Sequence, residues 1–152
     1  EIEAAVPMHE IGKIGIPDQV LLKPGRHTEH EQTIMRRHPL IGHGILTDSP
    51  SRYLQMGAVI ALGHHEKFDG SGYPQGLAGE AIPLPARIVA VADVFDALTS
   101  NRPYKRAWSF QEALHYIRTE SGRHFDPACV RAFELRIDAV ASVMRELGDE
   151  PA

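Results

Sequence analysis

Histidines and carboxylates occur where predicted helices end, and their chemistry suits divalent metal ions. The chain has nine histidines in 152 residues. The candidate ligands are His9, Glu10, His38, His64, His65 and Asp93. Imidazole and carboxylate groups suit manganese, iron, zinc and similar ions. Adjacent histidines inside a straight helix would diverge by about 100°. At a fraying helix end, by contrast, the backbone can turn both toward one ion, and we expect this of His64 and His65.

Asp93 is a carboxylate in an apolar setting, with the sequence IVAVA before it and VF after it. An unpaired carboxylate buried there would cost several kcal/mol. A metal ion would compensate its charge, and so would an ion pair with Arg87, which leaves both interpretations open. Asp96 could brace the site or form a simple salt bridge.

Each candidate histidine also has an ordinary interpretation, because a single histidine is more often a hydrogen-bonded core or surface residue than a ligand. Only the combination of six donors favours a metal site. We expect surface or structural roles for the other five histidines: His27, His30, His43, His115 and His124.

The elements that must position these donors are predicted to be helices, since the long periodic stretches have helical spacing. The predicted helices cover residues 2–10 (disturbed by Pro7), 28–37, 40–47, 52–64, 86–100, 109–120 and 126–147. Residues 12–27 should form a loop with a short turn after Pro17. Thr28 with Glu31 and Ser109 with Glu112 are capping-box signals. The apolar character of residues 86–100 predicts a buried helix.

A second long segment, residues 66–85, is dense in glycine and proline. A structureless stretch of this length is unusual in a compact domain and is commonly functional. The fold class is therefore all-α, a helical bundle with one elaborate loop. We expect the domain to cover residues 1–135, followed by a C-terminal helix and tail over residues 136–152. That helix should pack on the core, although it could also pair two chains.

Composition narrows the function classes. Hydrophobic residues make up 43% and charged residues 24% of the chain, as in ordinary globular proteins. The net charge of −4 argues against a polynucleotide binder. No apolar run is long enough to span a bilayer, and a single cysteine fits a reducing compartment, so we expect a cytoplasmic protein. Because the chain opens with Glu1 rather than methionine, we expect it to be part of a longer protein.

Four segments resemble the HD-GYP domain, a bacterial group within the HD phosphohydrolase superfamily. They are residues 9–17 (HEIGKIGIP), 35–42 (MRRHPLIG), 64–74 (HHEKFDGSGYP) and 92–105 (ADVFDALTSNRPYK). The resemblance covers the chain from about residue 4 to residue 133. It implies an HD-domain-like helical bundle that hydrolyses cyclic di-GMP to the linear dinucleotide or to GMP. It also implies two or three divalent ions, iron or manganese first, with zinc, magnesium and nickel as alternatives.

The resemblance assigns roles to the metal-binding candidates. His9 and Asp93 match ligands of one ion, and the imidazoles at positions 38, 64 and 65 match ligands of the second. Glu10 occupies the place of a bridging aspartate. Lys13 matches a lysine that stabilises or protonates the leaving oxygen.

The resemblance also implies a substrate-binding set, which comprises Gly72, Tyr73, Pro74, Arg102 and Lys105. Tyr73 would lie near the guanine or the metal site, while Arg102 and Lys105 would grip phosphate. Implied partners are cyclic di-GMP, diguanylate cyclase (GGDEF) domains, and an upstream sensory or receiver domain. The ordinary interpretations are that Tyr73 packs the loop and that the two cations are solvated.

The sequence departs from the family pattern in two ways. The family has histidine-aspartate where this chain has His9-Glu10, and glutamate adds one methylene. Family members also take ligands from a helix upstream of that pair, for which Glu1 and Glu3 are poor substitutes. These departures leave two alternatives to the enzyme: a degenerate module that binds cyclic di-GMP without cleaving it, and an interaction module that docks a partner through residues 66–85.

Overall fold

The structure is a computed structural model that describes residues 2–102 and 105–147. Within those residues it is all-α, with isolated β-bridges but no strand, so the predicted fold class is confirmed. The helices are α1 (Ile2–Ala5), α2 (Asp18–Leu21), α3 (Glu29–Met35), α4 (His38–Leu46), α5 (Arg52–Gly63), α6 (Leu84–Thr99), α7 (Phe110–Thr119), α8 (Pro127–Leu135) and α9 (Ile137–Leu147).

The first helix is shorter than predicted, because Pro7 interrupts it. Helix α1 ends at Ala5, and Val6–Met8 forms a 3-10 turn that contains the proline. Proline has no N–H for an α-helical hydrogen bond, which explains the change of helix type. The 3-10 turn ends at His9 and so delivers the first candidate ligand.

The segment between His9 and α3 is more regular than a loop. A 3-10 helix covers Ile11–Gly15, and the predicted turn after Pro17 is confirmed as α2. Gly12 packs directly on α4: a Cβ placed there would lie 1.8 Å from the His38 carbonyl oxygen. Only glycine permits this approach, which holds residues 9–15 beside the start of α4.

Helix α3 begins with the predicted capping box. The hydroxyl of Thr28 accepts from the Glu31 N–H, and the Glu31 carboxylate accepts from the Thr28 N–H. At α7, Ser109 accepts from the Glu112 N–H as predicted, but Glu112 accepts from the Ser109 hydroxyl rather than from its backbone. The second capping box is therefore only half formed.

Helix α6 is the central helix, although it is not wholly buried. One face is buried through Ala86, Val89, Ala90, Val91 and Phe95. Leu84 is 51% and Ile88 39% exposed on the other face, so the prediction of a buried helix holds for one face only. The main core cluster joins this helix to α7, α8 and α9.

The predicted C-terminal helix is two helices. Asp126 caps α8 by accepting from the Ala128 N–H, as predicted, but Arg136 leaves the helical conformation and separates α8 from α9. The break allows Val140 and Met144 to pack on the cluster that α8 reaches through Val130. Core packing of α9 is thus observed, while residues 148–152 lie outside the described residues.

The glycine-rich segment is held in place from inside. The side chain of Glu66 is 2% exposed, and its two carboxylate oxygens accept from the N–H groups of Gln75 and Leu77 at 2.8 and 3.1 Å. Gly72 lies against the backbone of residues 65–67, where a Cβ would meet the His65 oxygen at 2.5 Å. The segment is therefore folded back on the end of α5.

The connection between α7 and α8 holds the same segment from outside. Phe68 and Asp69 donate backbone hydrogen bonds to the carbonyls of His124 and Arg123. The ring of His124 stacks on Phe125 at 4.2 Å. None of the helices in residues 2–102 and 105–147 has both the length and the apolar character needed to cross a membrane.

Replacing Glu66 by Gln should loosen the segment, because one amide N–H₂ would face a backbone N–H that needs an acceptor. We expect the free energy of unfolding to fall by about 1–3 kcal/mol. Hydrogen exchange at the amides of Gln75 and Leu77 should also become faster. Glu80→Gln, at an exposed acid of the same segment, is the matched control. Unchanged exchange at both amides in the Glu66 variant would contradict this role.

His124 should make stability depend on pH. Burial, together with Lys67, lowers the pKa of His124 to about 4 from an ordinary value near 6.5. Between these values the unfolded chain binds a proton that the folded chain does not, so stability falls as pH falls from 6.5 to 4. In this window, His124→Gln should reduce the slope of the free energy of unfolding against pH by up to about 1.4 kcal/mol per pH unit.

Denaturant unfolding of both proteins at several pH values measures this slope. His30→Gln removes an exposed histidine and serves as the control. Parallel curves for the wild type and the His124 variant would show that the ring does not contribute.

Candidate metal centre

All six predicted ligands lie in one pocket, where they form two overlapping groups. One group is His9, Glu10, His64 and Asp93, and the other is Glu10, His38, His64 and His65. Within each group the ligand atoms lie within 4.8 Å of one another. The family resemblance implied that His64 binds the second ion alone. In the structure His64 belongs to both groups. The roles of these residues as ligands stay a prediction.

Three of the imidazoles are oriented in the same way, by carbonyl groups at helix ends. The Nδ1 atoms of His9 and His38 donate to the carbonyls of Val6 and Met35, at 2.6 and 2.8 Å. The Nδ1 atom of His64 donates to the carbonyls of Ile60 and Ala61, in the last turn of α5. These carbonyls lie in the last turn of a helix or 3-10 turn, where few intrahelical N–H donors remain. With Nδ1 as the donor, each ring directs its Nε2 atom toward the pocket, and in the neutral ring that atom offers a metal ion its lone pair.

His64 shows most directly that the pocket fits a cation. Its ring is 2% exposed, and its Nε2 atom is buried without a hydrogen-bond partner. A buried polar atom left unpaired is costly, and native structures rarely tolerate one without a reason. Neutral imidazole nitrogens and carboxylate oxygens form the donor set that suits a borderline divalent ion. The residues present therefore fit the metal that the sequence predicts.

Glu10 lies at the centre of the pocket and faces both groups. Its Oε1 atom is 3.3 Å from the Nε2 atoms of both His9 and His64. Its Oε2 atom is 3.7 Å from His38 Nε2 and 2.6 Å from the ammonium of Lys13. The carboxylate of Glu10 therefore lies close to imidazoles of both groups.

The charges in the pocket are strongly coupled. Burial alone would lower the pKa of His9, but hydrogen bonds to Asp93 and Glu10 outweigh burial and raise that pKa to about 10. Burial also opposes the ionisation of Glu10, yet the nearby imidazoles of His64 and His9 and the ammonium of Lys13 hold its pKa far below the usual range. The same negative field attracts a divalent cation.

In the group that contains His38 and His65, the pKa values of these two imidazoles are lowered rather than raised. Burial lowers the pKa of His38, and burial together with the neighbouring imidazoles lowers that of His65 to about 3. Their Nε2 atoms lie 3.2 Å apart. Both rings are therefore neutral at physiological pH, which is the form of histidine that binds metals.

Asp93 is paired within the pocket rather than with arginine. Its Oδ1 atom lies 3.2 Å from His9 Nε2, while Arg87 donates to Asp126 at 2.7 Å and to the Ile82 carbonyl. The alternative pairing of Asp93 with Arg87 is therefore wrong. Asp96 is exposed and accepts a long hydrogen bond from Ser100, which makes it a surface residue.

The GYP triplet contributes one side chain beside the pocket. The Tyr73 ring stacks on the His65 imidazole, with 5.0 Å between centroids and 13° between planes. Gly72 permits the close packing described above, and the Tyr73–Pro74 peptide bond is cis. The ordinary interpretation of Tyr73 as loop packing does not explain its contact with a candidate ligand.

Arg102 and Lys105 follow α6 and pair through their backbones. Each donates its backbone N–H to the carbonyl of the other, at 3.0 and 3.1 Å. The ammonium of Lys105 lies 3.4 Å from the Ala97 carbonyl and 5.4 Å from the centroid of the Trp108 ring. Ala97 lies one helical turn beyond Asp93 in α6.

Two further residues belong to this region and were missed by the sequence analysis. Glu66 looked like one more polar residue of the loop, although its place directly after His64-His65 and before the glycines could have marked it as a loop anchor. The Arg36 guanidinium carbon lies 5.0 Å from the centroid of the Tyr73 ring. No sequence pattern pairs residues 36 and 73, so this contact required the structure.

Comparisons with known proteins identify the family of this chain. A model of the HD domain family matches residues 1–129. The cyclic di-GMP phosphodiesterase response regulator RpfG of Xanthomonas campestris is 63% identical over 131 residues, which is 86% of this chain and 35% of that protein. A cyclic di-GMP phosphodiesterase of Thermotoga maritima is 51% identical over 150 residues, covering 99% of this chain and 41% of the relative.

A solved structure shares the fold. The crystal structure of the cyclic GMP-AMP specific phosphodiesterase V-cGAP3 of Vibrio cholerae matches with a TM-score of 0.65 and 21% identity, over 92% of this chain and 38% of that one. The chain thus spans well under half the length of each of these relatives. It belongs to the HD domain family, and the GYP triplet beside its histidine pocket places it in the HD-GYP group.

Proposed function

We propose that this domain is a metal-dependent phosphodiesterase that hydrolyses cyclic di-GMP to the linear dinucleotide or to GMP. The two ligand groups that share Glu10 and His64 carry this proposal. The names of the two bacterial relatives support the substrate. Iron and manganese are the metals that we expect first. A pair of such ions supplies Lewis acidity toward the phosphodiester and the attacking water.

Lys13 is placed to act on the leaving group. Its ammonium lies 2.6 Å from Glu10 at the pocket edge and is 40% exposed, so it is held by one carboxylate and still open to a ligand. The leaving 3′-oxygen develops negative charge as its bond to phosphorus breaks. An ammonium beside that oxygen stabilises the charge and can deliver a proton.

Arg102 and Lys105 are placed to bind phosphate. A phosphodiester is anionic and repels a nucleophile, so cations that approach its non-bridging oxygens lower the barrier. Their reciprocal backbone hydrogen bonds hold Arg102 and Lys105 side by side. The hydrogen bond of Lys105 to the Ala97 carbonyl fixes the direction of one of them.

The relatives also suggest how the domain is regulated. RpfG is named a response regulator. We infer by analogy that an upstream receiver or sensory domain controls the present domain, and that GGDEF domains are partners.

The protein supplied with Mn²⁺ or Fe²⁺ should hydrolyse cyclic di-GMP, and chelation should abolish that hydrolysis because no protein group replaces the Lewis acid. Product formation by chromatography is the measurement. Binding of the nucleotide without product formation would contradict the enzyme and support the degenerate module.

Replacing either shared ligand should affect both ligand groups. Glu10→Gln and His64→Gln should each lower bound metal, measured by elemental analysis, and reduce turnover roughly a hundredfold or more. His43→Gln is the control, because His43 is anchored to the Ala58 carbonyl and belongs to neither group. Full metal content in both pocket variants would show that these residues are not ligands.

A further inference from the structure

Arg36 is connected to the metal pocket through two aromatic contacts. Its guanidinium lies 5.0 Å from the centroid of the Tyr73 ring. That ring stacks on the imidazole of His65, which belongs to the second ligand group. A planar cation and an aromatic ring are thus placed together where a nucleotide bound at the pocket would extend outward.

Arg36 makes little contribution to the stability of the fold. The residue is exposed, and in the described residues none of the ion pairs involves it. A cation–π contact at an exposed position contributes only about 0.5–1 kcal/mol. The guanidinium therefore keeps its hydrogen-bond donors available for a ligand.

We propose that Arg36 contacts a guanine base of the bound nucleotide and reads its O6 and N7 edge, a role that rests on the proposed function. Guanine presents two acceptors on that edge, which match the parallel donors of a guanidinium. Adenine presents an amino donor beside N7, which arginine cannot accept. Arg36 would thus be a specificity-determining residue that favours guanine over adenine.

Base contact explains the neighbourhood of Arg36 better than phosphate contact does. Lys13, Arg102 and Lys105 already supply cations for the phosphodiester. Phosphate binding needs no aromatic ring, whereas unpaired bases are recognised by stacking on aromatic rings and guanidinium planes. The Tyr73 ring stacks on His65 and lies against Arg36, so it holds the guanidinium beside the pocket.

The test compares Arg36→Ala with Arg37→Ala in the metal-loaded protein. The control removes the same charge from the adjacent exposed residue. Arg36→Ala should lower kcat/KM for cyclic di-GMP roughly 10- to 100-fold. It should change the value for cyclic di-AMP much less, so the ratio between the two substrates falls. Turnover of bis(p-nitrophenyl) phosphate, which has no base, should be unchanged, and Arg37→Ala should keep the wild-type ratio.

Arg36→Lys distinguishes edge recognition from simple charge. Lysine keeps the charge and can still donate to O6 and N7, but it lacks the planar fork, so the guanine preference should fall less than in Arg36→Ala. An unchanged preference in Arg36→Ala would overturn the inference. So would an equal loss with both cyclic dinucleotides.

Binding of mononucleotides separates this inference from the proposed function. GMP and AMP contain no phosphodiester bond, so calorimetry can measure their binding without turnover. Failure to hydrolyse any cyclic dinucleotide would refute the proposed function alone. The inference would then stand if wild type prefers GMP and Arg36→Ala loses that preference, and it would fall if wild type binds both equally.

Discussion

The structure depends on the placement of one carboxylate, that of Glu10, among imidazoles that come from distant parts of the chain. A buried anion is stable only with compensating partners. Here the partners are the ammonium of Lys13 and the rings of His9 and His64. Helices α4, α5 and α6 must therefore meet at this point. Residues 9–15 reach the same point because Gly12 permits their close approach to α4. The contacts that pack the helices therefore also fix the geometry of the pocket.

The histidines serve as ligand candidates because of where the helices end. A helix leaves its last carbonyls without intrahelical donors, and at Met35 and Ala61 a histidine N–H supplies the missing donor. At Val6 the His9 ring adds a second donor to a carbonyl that already accepts from the His9 backbone. The same hydrogen bond fixes the ring and directs its other nitrogen inward. One interaction thus completes a helix end and orients a functional group. This explains why the donors lie at element boundaries rather than along helix faces.

Sequence reasoning identified the six donors, the helix-end placement and the all-α class, because each leaves a local mark: residue type, capping signals and periodicity. It could not reveal which partner each charged group takes. Arg87 pairs with Asp126 rather than with Asp93, and Glu66 pairs with two backbone amides. These are long-range choices that depend on packing. The break at Arg136 was also invisible, since no glycine or proline marks it, and only the need of α9 to return to the core accounts for it.

Glutamate at position 10 is the main departure from the family pattern, and its consequence can be argued from the pocket. A longer side chain would ordinarily carry its carboxylate past a position built for aspartate. In this chain both oxygens still face the two ligand groups, and Lys13 holds one of them at 2.6 Å. The residue follows a 3-10 turn caused by Pro7, so its backbone position differs from that of a residue in an α-helix. The 3-10 turn and the longer side chain occur together in this chain, and the carboxylate lies within 3.7 Å of imidazoles from both ligand groups.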